Sequence, residues 1–126
     1  MIRLTVEEVL LLHEKLLAAT GGSPGLRDRG LLESAVWSVD AAFGEVEQYP
    51  SVEEKAARLA FALVTNHAFV DGNKRVGMLA MLVTLELNGI TLRYAQEELV
   101  ALGLDAAAGH AGYEEILAWV RGHYAG

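Results

Sequence analysis

His67-Ala68-Phe69-Val70-Asp71-Gly72-Asn73-Lys74-Arg75 is the stretch from which this chain is read. On its N-terminal side, Ala56, Leu59, Ala60, Leu63 and Val64 recur at helical spacing. On its C-terminal side a second apolar pattern starts near Asn73 and runs through Leu79, Met81, Leu82, Val83 and Leu85. Both patterns are apolar almost all round, which predicts two helices in the middle of a helical bundle. The nine residues between them are then a polar loop. It joins the C-terminal end of one central helix to the N-terminal start of the next.

Further out, two four-residue signals mark helix starts. Thr5-Val6-Glu7-Glu8 and Ser51-Val52-Glu53-Glu54 both have the capping-box pattern, a hydroxyl followed three residues later by glutamate. The first opens a helix with Val6, Val9, Leu10, His13, Leu16 and Leu17 on one face, ended by Gly21-Gly22-Ser23-Pro24-Gly25. The second opens the helix that runs to about Asn66. Between them a helix is expected to start after Asp28 and run to about Phe43, with Gly44 to Pro50 as loop. Asn88-Gly89 stops the helix after the motif. Ile90-Thr91-Leu92 reads as a short extended piece, followed by helices over roughly 96–108 and 113–123. No set of alternating strands is visible. The expected fold is all-α, a compact bundle of about six helices, in a single domain over 1–126.

Composition narrows the function classes. The formal net charge is -7, against a general nucleic-acid or membrane binder, since both need a basic face. There is no cysteine, so thiolate nucleophiles, disulfides and cysteine zinc sites are excluded. Hydrophobic residues make up 52% and mean hydropathy is +0.26, enough for a packed core. The longest apolar run, Gly77 to Val83, is far short of the about 20 residues of a membrane span. Met1-Ile2-Arg3-Leu4 runs into glutamates and does not resemble a signal peptide. A soluble, cytoplasmic protein is expected.

The loop holds the inventory for phosphate chemistry. Free backbone N–H groups at a helix start, together with the helix dipole, favour an anion. Lys74 and Arg75 in that first turn oppose the dipole unless a bound anion offsets them. Gly72 would let the backbone bend and approach a ligand closely. Asp71 could hold Mg²⁺ bridging phosphate oxygens. His67 could take a proton from an attacking hydroxyl. Phe69 is expected to face inward. Singly, each residue has an ordinary use: a capping histidine, an Asp-Gly turn, an Asn cap, a solvated cationic turn. Their joint spacing makes the case.

Other residues carry weaker signals. His13 sits on an apolar face and reads as structural, while His110 and His123 read as isolated and exposed. The four histidines form no i, i+4 pair suited to a metal. Trp37, Tyr113 and Trp119 read as core or groove aromatics. Glu45, Glu47, Glu53 and Glu54 read as a solvated acidic stretch, or as part of a target-docking flap. Arg27 and Asp28 are either a charged pair at a helix start or a border of the cleft.

The nine residues resemble the signature of the Fic/Doc superfamily, HxFx(D/E/N)(G/A)N(G/K)R. Lys74 makes the chain similar to the Doc (death-on-curing) branch. Gly21 to Asp28, followed by Gly30-Leu31-Leu32-Glu33-Ser34-Ala35, is similar to the N-terminal segment of Doc-like proteins. The resemblance covers nearly the whole chain and implies the Fic/Doc fold. It implies a toxin that transfers the γ-phosphate of ATP to a threonine of elongation factor Tu and so inhibits translation. A Phd-like antitoxin would neutralise it. By the same resemblance His67 is the general base, and Asp71 binds Mg²⁺ or orients the substrate. Lys74 and Arg75 grip phosphates, Asn73 holds phosphate oxygens or the loop shape, and Gly72 presents N–H groups. The AMP-transferring Fic branch has a second glycine where Lys74 stands and a second arginine where Met78 stands. Asp71-Gly72, in contrast, is the Fic-like pair. A Fic-type nucleotidyl transferase and a non-catalytic antitoxin-binding module are therefore the alternative readings.

Overall fold

A computed structural model describes residues 1–126. Six helices form it: α1 (Val6–Thr20), α2 (Arg29–Trp37), α3 (Val52–Asn66), α4 (Asn73–Leu87), α5 (Gln96–Ala107) and α6 (Tyr113–Arg121). The all-α expectation holds, and no helix is long and apolar enough to cross a membrane. Both capping boxes are present. The Glu8 N–H donates to Thr5 Oγ1 at 3.1 Å and the Thr5 N–H donates to Glu8 Oε1 at 2.9 Å. Ser51 and Glu54 exchange the same pair of bonds on α3.

α3 and α4 lie side by side at the centre, as their all-round apolarity implies. They divide the core in two. On one face Leu59, Leu63, Val76 and Ala80 pack with α1 and α2; on the other Ala56, Ala60, Val64, Met81 and Leu85 pack with α5 and α6. Burying a side chain such as Leu63 or Leu85 contributes about 1.5–3 kcal/mol. At Gly77 the two helices approach so closely that a Cβ would stand 2.6 Å from Val64 Cγ2 and 3.2 Å from the Ala60 carbonyl oxygen. Glycine costs helix stability at an interior position, but here nothing larger fits.

Several expectations need correction. The helix expected to reach Phe43 ends at Trp37 and tightens into a 3-10 turn at Ser38–Asp40. A small antiparallel ribbon follows, β1 (Ala42–Phe43) and β2 (Val46–Glu47), turning at Gly44 with φ 61°. Two side chains divert the backbone: Ser38 Oγ donates to the Ala35 carbonyl, and buried Lys55 of α3 donates to the Val39 carbonyl at 3.0 Å. Phe43 and Val46 are both exposed, so no alternation of apolar and polar residues marks the ribbon in the sequence. Trp37, expected in the core or a groove, is 63% exposed, because the inward face of α2 carries Leu32, Ala35 and Val36 instead. The acidic stretch is not simply solvated either. Glu47 pairs with Lys55, Glu53 accepts from the Tyr124 hydroxyl and Glu54 caps α3.

The C-terminal end is tied down more firmly than expected. Leu92 of the extended piece bridges Tyr124, and the flanking backbone bonds run from Arg93 N to His123 O and from Ala125 N to Thr91 O. His123 is neither isolated nor fully exposed. Its ring stacks on Trp119, Nδ1 lies 2.6 Å from the Trp119 carbonyl and Nε2 lies 2.8 Å from Glu98 Oε2. Tyr113 and Trp119 are half-buried against the second core, as expected of groove aromatics.

Candidate functional site

α3 ends on His67, whose φ of 53° and ψ of 47° place it in the left-handed region. It is the only non-glycine residue with positive φ. Such a conformation is uncommon for an L-residue and turns the chain sharply out of the helix. Arg27 braces the turn, with Nε donating to the His67 carbonyl at 2.7 Å. The imidazole itself is exposed.

The residues after His67 are held from two sides. Phe69 is 2% exposed, as its inward assignment required. The segment before α2 pairs with the loop backbone: Arg27 N and Asp28 N donate to the Ala68 carbonyl, and Val70 N donates to the Gly25 carbonyl. Asn73 closes the loop on itself. Its Oδ1 accepts from Phe69 N at 3.1 Å and its Nδ2 donates to the Phe69 carbonyl at 3.0 Å. Of the two uses considered for Asn73, the structure displays the shaping of the loop. It also separates Arg27 from Asp28. Arg27 grips the loop, whereas the Asp28 side chain caps α2 through the Leu31 N–H. They do not form an ion pair with each other.

α4 starts on Gly72, with φ 79° and no side-chain cap. Its first-turn N–H groups therefore have no helical partner and no capping oxygen. Lys74 is exposed and pairs with no carboxylate, while Arg75 is anchored. Arg75 Nη1 donates to Thr20 Oγ1 and to the Gly21 carbonyl, both at 2.7 Å, and Nη2 stands 3.7 Å from Asp71 Oδ1. Sequence reasoning did not foresee that the end of α1 would hold this guanidinium.

Asp71 is about half exposed. Its Oδ2 accepts from Ser23 N at 3.0 Å and its Oδ1 from Gly72 N at 2.8 Å. These bonds, the Ser23 N–H first, then Gly72, with Arg75 and His13 adding positive potential, hold its carboxyl below the usual range. An ionised, accessible carboxylate with lone pairs to spare fits a magnesium ion that takes its remaining ligands from phosphate and water. No cluster of three His, Asp or Glu side chains offers a fuller metal cage. Gly22, at φ 124°, completes the packing. A Cβ there would stand 2.7 Å from Asp71 Oδ2 and 2.9 Å from Arg75 Nη2.

Beside Lys74 and Arg75 opens a cavity of about 600 Å³. Leu16 and Thr20 of α1, Met78 and Leu82 of α4, and Leu99 and Val100 of α5 form much of its wall. The arrangement joins an apolar groove to a cationic, uncapped helix start, with an accessible histidine at the other end of the same loop. Such a site can seat a polyphosphate and offer a base to a hydroxyl.

Comparison with known proteins gives the same direction. The family model described as Fic/DOC family matches residues 3–85. A protein of Mycolicibacterium smegmatis named Toxin Doc is 45% identical over 74 residues, which cover 59% of this chain and 57% of that one. Protein kinase doc of Escherichia phage P1 is 29% identical over 124 residues, 98% of this chain and 97% of that one. The first alignment thus spans little more than half of its relative, and the second runs nearly end to end in both.

Proposed function

The chain belongs to the Fic/DOC family, and from that premise we propose that it is the toxin of a toxin–antitoxin pair, a kinase that transfers the γ-phosphate of ATP to a threonine or serine hydroxyl of a protein. The relatives named for a toxin and for a protein kinase support this reading. The observation that carries it is the start of α4, where uncapped N–H groups, Gly72 in the left-handed region and unpaired Lys74 stand beside an ionised Asp71.

In this reading the exposed His67 imidazole accepts the hydroxyl proton. The hydroxyl oxygen bonds to the γ-phosphorus, the bond to the bridging oxygen breaks, and ADP leaves with that electron pair. Lys74, Arg75 and the N–H groups from Asn73 onward hold the phosphates and offset the charge, the Gly72 N–H being taken by Asp71 Oδ1, so the work is positioning and electrostatics. Asp71 would hold Mg²⁺, which neutralises phosphate charge when bound. Asn73 keeps the loop in shape through Phe69. Arg27 borders the loop as a brace, and Asp28 serves only to start α2.

One observation favours a second reading. Asp71-Gly72 is the pair associated with AMP transfer, so a Fic-type nucleotidyl transferase is the alternative. Against it, the position where that branch has its second arginine is Met78, whose side chain lines the cavity beside Lys74 and Arg75 and brings no charge to a phosphate there. Elongation factor Tu is the target to try first, in the bacterial cytoplasm, and a Phd-like antitoxin is the expected restraint. The test incubates the purified chain with elongation factor Tu, Mg²⁺ and ATP and reads the intact mass of the target. A gain of one phosphoryl group supports the kinase; a gain matching AMP replaces it with the alternative; no gain removes elongation factor Tu as the target.

A further inference from the structure

We propose that His13 of α1 is a positioning residue for the α3–α4 loop, holding the Asp71–Gly72 peptide so that the start of α4 keeps its donors facing the phosphate site. The inference concerns the same site and rests on the reading above for its catalytic consequence.

His13 is 4% exposed, and its Nε2 lies 2.7 Å from the backbone carbonyl oxygen of Asp71, 58 residues away in the chain. A carbonyl oxygen only accepts, so Nε2 must carry the hydrogen and donate it. The ring lies flat against Phe69, with centroids 3.7 Å apart and planes 12° from parallel. His13 thus touches the loop twice, once by packing and once by a hydrogen bond.

The hydrogen bond falls where the backbone has the most freedom. Gly72 lacks the Cβ that would confine its φ, so the Asp71–Gly72 peptide could rotate at little steric cost. In a planar trans peptide the C=O and N–H point in opposite directions. With the Asp71 carbonyl held by His13, the Gly72 N–H lies on the opposite side of the peptide, where it meets Asp71 Oδ1 at 2.8 Å. The peptide also sets the direction in which α4 begins, and with it the free N–H groups of Asn73 and Lys74. Packing alone does not account for the choice of residue. A phenylalanine would stack on Phe69 equally well, and a buried imidazole is costly unless its polar atoms are satisfied. The one hydrogen bond its side chain makes goes to this loop.

The test compares His13→Phe, which keeps the stack and loses the donor, with His13→Gln, which returns an N–H near the place of Nε2. Amide hydrogen exchange of the full chain is measured residue by residue, together with steady-state transfer. His13→Phe is expected to speed exchange at Gly72 and Val76, whose N–H groups are bonded to Asp71 Oδ1 and to the Gly72 carbonyl, about tenfold, equivalent to about 1.4 kcal/mol, with the α3 interior and the rest of α4 unchanged. It should lower kcat about tenfold with the KM for the protein target within about twofold. His13→Gln should recover most of both. Unchanged exchange at Gly72 and Val76 in His13→Phe overturns the proposal. So does faster exchange throughout the α1 core in both variants, which would make His13 a packing residue. Raised exchange at Gly72 and Val76 with undiminished kcat also overturns it. If the wild-type chain transfers nothing, the functional reading fails, and the exchange data alone still decide whether His13 holds the peptide.

Discussion

α3 and α4 are each fifteen residues long and run side by side through the core, yet they begin in opposite ways. α3 begins on Ser51 in an extended conformation, its hydroxyl accepting from Glu54 N, with Glu53 and Glu54 in the first turn. Every element there satisfies the helix, and such a cap contributes about 1 kcal/mol. α4 begins on a left-handed glycine with no cap, and its first turn carries Lys74 and Arg75. Cations at that end cost about 0.3–1 kcal/mol each. The comparison teaches where stability was kept and where it was given up. At α3 the donors are closed off by the protein's own oxygens, and at α4 they are left open to an anion from outside.

The largest effect should come from the loop between them. His67→Ala is expected to lower transfer by about 10²–10⁴ while the thermal unfolding midpoint stays close to wild type. Transfer surviving at wild-type rate would remove His67 as the base. Lys74→Ala should cut transfer by about 10² and raise stability by a few tenths to about 1 kcal/mol, since a cation leaves the helix start. Opposite movement of activity and stability is the sharpest expression of the contrast; a variant that loses both would show that Lys74 is structural. Ser51→Ala reverses the pattern, with about 1 kcal/mol lost in chemical denaturation and transfer intact. An equal loss of transfer would mean the two helix starts are not separable.

A smaller effect tests a part of the fold remote from both starts. Hydrogen bonding to Glu98, and then to the Trp119 carbonyl, raises the His123 pKa above 6.5. The Ala95 N–H, and then His123, lower Glu98 below 4.5. A raised histidine gives its full stability below 6.5 and loses it as pH climbs through the folded value. A depressed carboxylate gives its stability above 4.5 and loses it as pH falls through the folded value. The wild-type advantage over His123→Gln should therefore be greatest between 4.5 and 6.5 and shrink above it. An advantage that stays flat as the histidine is titrated would mean the contact with Glu98 is not ionic.

Both helix starts were legible because their signals fit within a few consecutive residues. The Thr5 and Ser51 boxes were readable in this way, and α3 ends at Asn66 as its periodicity indicates. The loop was legible for the same reason, since His67 to Arg75 are contiguous. What could not be read was anything supplied from a distance. Lys55 stops the helical continuation of α2 from another helix, and nothing near Val39 announces it. His123 looked isolated because Glu98 is 25 residues away. The supports of the loop come from α1 and the segment after it: His13, Thr20, Gly22 and Ser23. His13 gave one usable hint, a polar ring on an otherwise apolar helix face, but the sequence offered no way to name its partner.

Gly77 has a mechanical consequence. With backbone and a valine methyl where a side chain would go, α3 and α4 cannot slide past each other without a collision. They behave as one girder, and the loop is a bracket fixed to both of its members. The span from His67 to the first turn of α4 is then adjustable only by the bracket's own bends at residues 67 and 72. A single added methyl at position 77 would spread the girder and stretch that span, although it lies inside α4, five residues beyond Gly72.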